Sequence, residues 1–311
     1  MLAGSALSQP QVFEAGPWLQ RVQQAASTHS YRGIMIVSGG GIVSSSRVGH
    51  LSQGQHRYER IDVLGGQARQ QFRHNDTVLT LWPQAQLAVY EPQLATADFP
   101  ALPAAGPRLL ENYELRWVGS ERIAGQVADV VLAKPRDGSR FLQRLWAERH
   151  SGLLMRTDVL GPRGDLLESS AFSELMLDDK LPVDSVLGPM KQLDGYRVVR
   201  PKAQRVDLER EGWSFQRAIP GFHLVSCARR TLVAPEKGVD ARPVVQAVFS
   251  DGLAHVSVFI EPFDAHHHRA MRSVLGATHT LMNRHGDWWV TVVGDVPMAT
   301  VEQFDASLQR R

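Results

Sequence analysis

Between Gln126 and Leu177 the chain carries three turn signals, Pro135-Arg136-Asp137-Gly138, His150-Ser151-Gly152 and Pro162-Arg163-Gly164-Asp165. They separate four runs of strand character, Gln126–Lys134, Arg140–Arg149, Leu153–Leu160 and Leu166–Leu177. Parallel neighbours need a crossover of a dozen or more residues, and these connections are far shorter. The spacing therefore selects a large antiparallel sheet, barrel-like or strongly curved, and argues against alternating βαβ units.

The residues before this stretch extend the same pattern. Trp18, Leu19, Val22, Ala25 and Ala26 fall at helical spacing behind Pro17, a residue tolerated in a first turn, so one N-terminal helix is expected. After Ser30 come strand-like runs at Tyr31–Val37, Ile42–Leu51 and Arg57–Leu64, with turns at Gly39-Gly40-Gly41 and Gly65-Gly66. Ala68–Arg73, Thr77–Trp82 and Gln86–Tyr90 continue the meander. The Pro- and Ala-rich segment Pro92–Pro107 then interrupts it with an expected loop and short helix.

A length of 311 residues, at roughly 100–200 per domain, predicts two domains. Asp178–Gln204, with Pro182, Pro189 and Pro201, reads as the connection. The expected division is residues 11–180, a linker at 181–204, and residues 205–311. In the second unit strands are expected at Val206–Phe215, Phe222–Leu232, Val244–Phe249, Ala254–Ile260, Ala277–Arg284 and Trp288–Val293. A helix from Met298 to Leu308 carries Val301, Phe304 and Leu308 on one stripe. This makes the second unit small and α+β.

Charge nearly balances, with 34 Lys and Arg against 32 Asp and Glu, so no global field calls for a nucleic-acid partner. The stretch from Arg197 to Arg242 is locally basic, with ten Lys or Arg against five Asp or Glu. Arg197, Arg200, Lys202, Arg205, Arg229 and Arg230 are thus candidates for contact with an acidic partner or a lipid headgroup, beside the plainer reading of a solvated basic surface. The single cysteine, Cys227, excludes an intrachain disulfide and a CxxC redox pair, and reads as a buried structural thiol. No apolar run approaches the ~20 residues a membrane helix needs. A leader removed ahead of this sequence would leave the same appearance.

Motifs that carry chemistry are missing: there is no GxSxG, Walker loop, HExxH or strand-linked GxGxxG. Gly39-Gly40-Gly41-Ile42 lacks the GK[ST] of a phosphate loop and reads as a hairpin. His266-His267-His268 reads as a solvated loop in place of a metal site, since adjacent histidines do not easily face one ion. Asp264 is placed to cap a short helix running through Met271. Asn75-Asp76-Thr77 matches a glycosylation acceptor but serves well as a turn. In Trp288-Trp289, alternation puts one ring inward and leaves the other for an interface. No cofactor, metal or catalytic residue is called for.

Taken together, the ordered segments resemble the RseB/MucB family from about Trp18 to Leu308. The first unit contributes Ser30-Tyr31-Arg32-Gly33, Tyr58-Glu59-Arg60 and Leu64-Gly65-Gly66 with Arg69. In the family the last hairpin reads Leu-Asp-Gly, and Gly65 stands in the Asp place. Trp117-Val118-Gly119, Arg122-Ile123-Ala124-Gly125, Arg136-Asp137-Gly138-Ser139-Arg140, Leu153-Leu154-Met155-Arg156 and Arg163-Gly164-Asp165 follow in order. The second unit adds Trp213, Ile219-Pro220-Gly221-Phe222, Ser250-Asp251-Gly252-Leu253 and Val293-Gly294-Asp295-Val296-Pro297.

The resemblance implies a mostly β protein: an N-terminal lipoprotein-carrier-like curved antiparallel sheet, an unclosed barrel over helices, plus the small C-terminal α+β domain. It implies residence in the periplasm after removal of a signal peptide. It also implies a non-catalytic regulator that binds the periplasmic region of a membrane-anchored anti-sigma factor of the RseA/MucA kind and shields it from proteolysis. Lipid or lipopolysaccharide in the groove would release that partner. The alternative is a periplasmic lipid or lipoprotein carrier or chaperone, and a homo-oligomer is compatible with either.

Overall fold

The computed structural model describes residues 13–92, 100–102, 108–178, 182–233 and 242–311. Helix α1 spans Ala15–Thr28 and buries Trp18, Leu19, Val22, Ala25 and Ala26, the residues whose spacing predicted it. It ends where His29 turns extended and its N–H reaches the Ala25 carbonyl at 3.0 Å.

The chain then forms β1 (Tyr31–Gly39), β2 (Ile42–Gln53), β3 (His56–Val63), β4 (Gln70–His74), β5 (Thr77–Trp82) and β6 (Leu87–Pro92). After α2 (Arg108–Asn112) come β7 (Tyr113–Ile123), β8 (Gln126–Pro135), β9 (Leu142–Glu148), β10 (Leu154–Leu160) and β11 (Leu166–Leu177). Helix α3 (Val183–Leu187) and β12 (Arg197–Val199) complete the first unit. The twelve strands lie in the order β12-β6-β5-β4-β3-β2-β1-β11-β10-β9-β8-β7, an unclosed sheet with β12 and β7 at its edges. All pairs are antiparallel except β12 with β6.

One core cluster joins Ala25 and Ala26 of α1 to Val48 of β2, Tyr31 of β1, Phe172 of β11, Met155 of β10, Trp146 of β9 and Val130 of β8. Six neighbouring strands laid flat would spread about 24 Å, twice the width of a helix. They meet around one helix only because the sheet bends over it.

The second unit contains β13 (Ala203–Arg205), β14 (Trp213–Phe215), β15 (His223–Thr231), β16 (Pro243–Ser250), β17 (His255–Pro262), β18 (Met271–Leu275), β19 (Thr278–His285), β20 (Trp288–Gly294), α4 (Met298–Ser307) and β21 (Leu308–Arg310). Its seven-stranded sheet runs β13-β15-β16-β17-β20-β19-β18, with β14 and β21 paired separately. Phe304 of α4 packs against Phe215, Phe222 and Phe249, with ring centroids 5.2–5.9 Å apart. The mostly-β expectation, with few helices and open sheets, holds.

Several sequence expectations need correction. Val206–Phe215 is not one strand, because residues 209–212 turn and only Trp213–Phe215 is extended. The Asp207 carboxylate accepts the N–H groups of Glu209 and Arg210, and Gly212 takes φ +82, which closes the turn. No helix runs from Asp264 to Met271. Asp264 caps a single turn by accepting the His266 N–H at 2.9 Å, after which Met271 pairs with Met282 as β18. Strand β7 was missed altogether. The short helix expected in Pro92–Pro107 cannot be compared, because residues 93–99 and 103–107 lie outside the described residues. Within the expected connection, β12 joins the first sheet and β13 the second, with residues 200–202 between them.

Candidate functional site

Three of the segments that carried the sequence resemblance converge where the two units meet. Arg140, after the Arg136–Ser139 turn, and Asp251, in the Ser250–Leu253 turn, form an ion pair at 2.5 Å with both side chains wholly inaccessible. The Asp251 Oδ2 also accepts the Tyr113 hydroxyl at 2.9 Å, and its Oδ1 accepts the N–H groups of Leu253 and Ala254 at 2.9 and 2.8 Å. Arg140 uses its remaining nitrogens on Asp137 and on the Pro220 carbonyl, the latter at 2.6 Å, and lies 4.8 Å over the Phe222 ring. Gly221 is required beside it, since its φ is +77 and a Cβ there would strike the Arg140 guanidinium and Asn112. Nearby, Thr300 of α4 donates to the Ser139 carbonyl at 2.9 Å.

A buried charge is tolerated only when paired and hydrogen-bonded, and this pair is saturated. Burial alone would lower the Arg140 pKa, but its bond to Asp137 and the charge of Asp251 outweigh that and hold it above the ordinary arginine value. Burial, reinforced by Asp251, pushes the Tyr113 phenol well above its usual range, so it stays a donor. The units also touch elsewhere, as where the Phe141 and His279 rings lie 5.6 Å apart. The Gly39–Gly41 hairpin packs on Leu275 and Gly276, so closely that a Cβ on Gly40 would meet Leu275 Cδ1 at 2.5 Å. Arg230 of β15 pairs with Glu91 of β6 at 2.5 Å.

The first sheet holds a cleft of about 1260 Å³ between its inner face, α1 and residues 100–102. Side chains at directly paired positions cross its floor from strand to strand: Tyr31 faces His50, His50 faces Glu59, and Glu59 faces Arg73. The Tyr31 and His50 rings stack at 4.9 Å, His50 Nδ1 lies 3.7 Å from Glu59, and Arg73 reaches Glu59 at 3.3 Å. Burial would raise the Glu59 pKa, yet the interactions with His50 and Arg73 hold it below the usual glutamate value. Met35, Val37, Ile61 and Val63 supply apolar lining around this polar row.

The basic candidates follow the seam beside this cleft. Arg197, Arg200, Lys202, Arg205 and Arg229 are exposed. Arg200 lies 4.5 Å over the Tyr90 ring, Arg205 lines the cleft, and Arg229 pairs with Glu211. Arg230 is turned inward to Glu91 and to Gln246 at 3.1 Å. The other sequence features have local partners. His267 pairs with Asp264 at 2.9 Å, and His268 stacks on Trp289 at 4.7 Å. Among the described residues no group of three or more His, Cys, Asp or Glu could hold a metal. Trp288 does not project as a free ring: it packs on the second core and under Arg310. Cys227 is buried. Among the described residues no helix is long and apolar enough to cross a membrane.

The Arg140–Asp251 junction was missed as a functional element. In sequence each residue sits in or beside a polar turn, where charge ordinarily means solvent, and nothing local marks burial.

Comparison with known proteins agrees with this arrangement. Residues 14–190 match the family model of the MucB/RseB N-terminal domain, and residues 207–309 match that of the MucB/RseB C-terminal domain. The "Sigma factor AlgU regulatory protein MucB" of Pseudomonas aeruginosa is 34% identical, covering 99% of this chain and 96% of the relative. The "Sigma-E factor regulatory protein RseB" of Haemophilus influenzae is 22% identical, covering 96% of this chain and 92% of the relative. The solved structure of a Pseudomonas aeruginosa MucA/MucB complex superposes with a TM-score of 0.71 at 28% identity, over 96% of this chain and 99% of that chain. Both domain matches fall in order on the two units just described, and the chain belongs to the MucB/RseB family.

Proposed function

We propose that this chain is a non-catalytic periplasmic regulator that binds the periplasmic region of a membrane-anchored anti-sigma factor, shields it from proteolysis and so restrains an envelope stress response. The observation that carries this reading is the near full-length similarity to MucB, including the chain solved in complex with MucA. The relatives are named as regulatory proteins, in keeping with the missing catalytic motifs. In this reading residues 11–180 form the lipid-sensing domain, 181–204 the connection, and 205–311 the domain that grips the partner. Arg197, Arg200, Lys202, Arg205 and Arg229, exposed along the seam, present positive charge to an acidic segment. Lipid or lipopolysaccharide entering the cleft releases the partner, which requires different affinities for the bound and free states.

Immobilised periplasmic segment of the cognate anti-sigma factor should capture this chain saturably at micromolar concentration and become resistant to its site protease. Absence of saturable capture would sink the proposal. The size and partly apolar lining of the cleft favour a second reading, a lipid or lipoprotein carrier. Transfer of a lipidated cargo with no effect on anti-sigma cleavage would put that reading first.

A further inference from the structure

We propose that the open edge of β18 pairs with β18 of a second copy of this chain, antiparallel about a two-fold axis at Ser273, so that two second-domain sheets become one. An open edge presents a row of unpaired N–H and C=O groups, and folds blunt it with brevity, charge or a bulge. Three of the four edges of the two main sheets carry such a device. β12 and β13 are three residues long and hold Arg197 and Arg205, and β7 is bulged between Trp117 and Gly119. β18 differs: it runs beside β19 with no register shift, and no described strand pairs with its outer side. All five of its residues are exposed, among them Met271, Val274 and Leu275 at 47%, 61% and 49%. Its one charge, Arg272, is held by Glu302 of α4 at 2.8 Å.

The backbone fixes the register of the pairing. Gly276, at φ +60, and Ala277 form the two-residue turn that closes the hairpin on Leu275 and Thr278. Hydrogen-bonded and non-hydrogen-bonded pairs alternate from that closing pair. Leu275, Ser273 and Met271 therefore spend their backbone groups on β19, while the N–H and C=O of Arg272 and Val274 point to the open side. With a two-fold at Ser273, Arg272 of one copy lies opposite Val274 of the other, each such pair exchanging both bonds. Met271 then lies opposite Leu275 of the second copy, apolar on apolar, and no arginine directly faces an arginine. The two Arg272 side chains lie diagonal to each other, each neutralised by its own Glu302. This self-complementarity is what a closed two-fold interface requires, and it favours a second copy over a foreign strand. The pairing needs neither lipid nor anti-sigma segment, so its failure would leave the function proposed above untouched.

The full chain should be followed by sedimentation velocity across the micromolar range, beside Ser273→Lys, Ser273→Asp and Ser273→Cys. The wild type should dimerise, and Ser273→Lys, which sets two ammonium groups face to face, should weaken dimerisation by about tenfold or more. Mixing Ser273→Lys with Ser273→Asp should restore it. Position 273 is exposed within one copy, so the substitutions leave the fold intact, which thermal unfolding checks. Under mild oxidation Ser273→Cys should give a covalent dimer, since buried Cys227 stays silent, whereas Val118→Cys on the open edge β7 should not. A wild type that stays monomeric with no link at position 273 would overturn the proposal. So would a dimer indifferent to Ser273→Lys, which places the interface on another face, or linking equal to that of Val118→Cys. Protection of Ser273→Cys from alkylation by the anti-sigma periplasmic segment, with no self-link in its absence, would give the edge to a foreign strand and overturn the second copy.

Discussion

Replacing Arg140 by Met tests whether the buried pair at the domain junction is a structural latch. The substitution keeps the aliphatic stem over Phe222 and removes three donor contacts, to Asp251, Asp137 and the Pro220 carbonyl. Asp251 would then remain charged at zero side-chain exposure, held only by the Tyr113 hydroxyl and two backbone N–H groups. Stranding one member of a buried pair costs about 3–5 kcal/mol. With a urea dependence of about 2–3 kcal/mol per molar, the unfolding midpoint should fall by roughly 1–2 M, followed by tryptophan fluorescence. Adding Asp251→Asn to Arg140→Met removes the stranded charge while its carbonyl can still accept from Leu253 and Ala254, and should recover on the order of 2 kcal/mol. A midpoint shift below about 0.3 M for Arg140→Met, or a double variant no more stable than the single one, would refute the reasoning.

Three further outcomes follow from the same geometry. Gly40→Ala must place a Cβ against Leu275 and the Gly276 backbone at positive φ and should cost about 1–3 kcal/mol in thermal unfolding. Gly41→Ala, also at positive φ but with nothing within 4 Å, should cost only its backbone strain of about 1 kcal/mol, and equal losses would count against the domain contact. Cys227, whose thiol burial pushes up to about 11, should react with a disulfide reagent at pH 8 on the order of a hundredfold slower in the native chain than in urea. Because the Glu59 pKa is depressed on folding, its contribution is present above its ordinary value and is lost as pH falls through the folded one. The stability difference between wild type and Glu59→Gln should therefore vanish in acid, and a difference that persists there would contradict the Arg73 and His50 pairing.

What was readable in the sequence was what depends on near neighbours. The stripe on α1 and the turns around Asp137, Gly152 and Gly164 declare themselves within a few residues, so the meander emerged with its strand ends shifted by no more than two positions. Strand β7 was hidden because its register shifts between Trp117 and Gly119 and its polar residues occupy both faces. Strand β18 is exposed at every position, so it has no alternation to detect. Strands β12 and β13 are three residues each, below the length at which a period exists. The junction was illegible for another reason: Arg140 and Asp251 are 111 residues apart, and burial turns two ordinary turn charges into a pair.

The contacts between the domains differ in how they meet water, and this assigns them different work. Arg140–Asp251 is dry and saturated with partners, so a soluble ligand has no access to it and gains nothing by binding one arrangement of it over another. Arg230–Glu91 is partly wet, at 19% and 25% exposure, and Arg205 beside it is open to the cleft. An anion can compete for or reinforce charge only at this wet end, where pairing is worth little until a ligand desolvates it. A ligand shifts an equilibrium by no more than its differential affinity for the two states. In the proposed reading, ligand control of the partner surface would run through the β6, β13 and β15 seam, with the Arg140–Asp251 latch as the fixed pivot. Substitution at the latch should accordingly change stability far more than ligand response, and substitution at Arg205 the reverse.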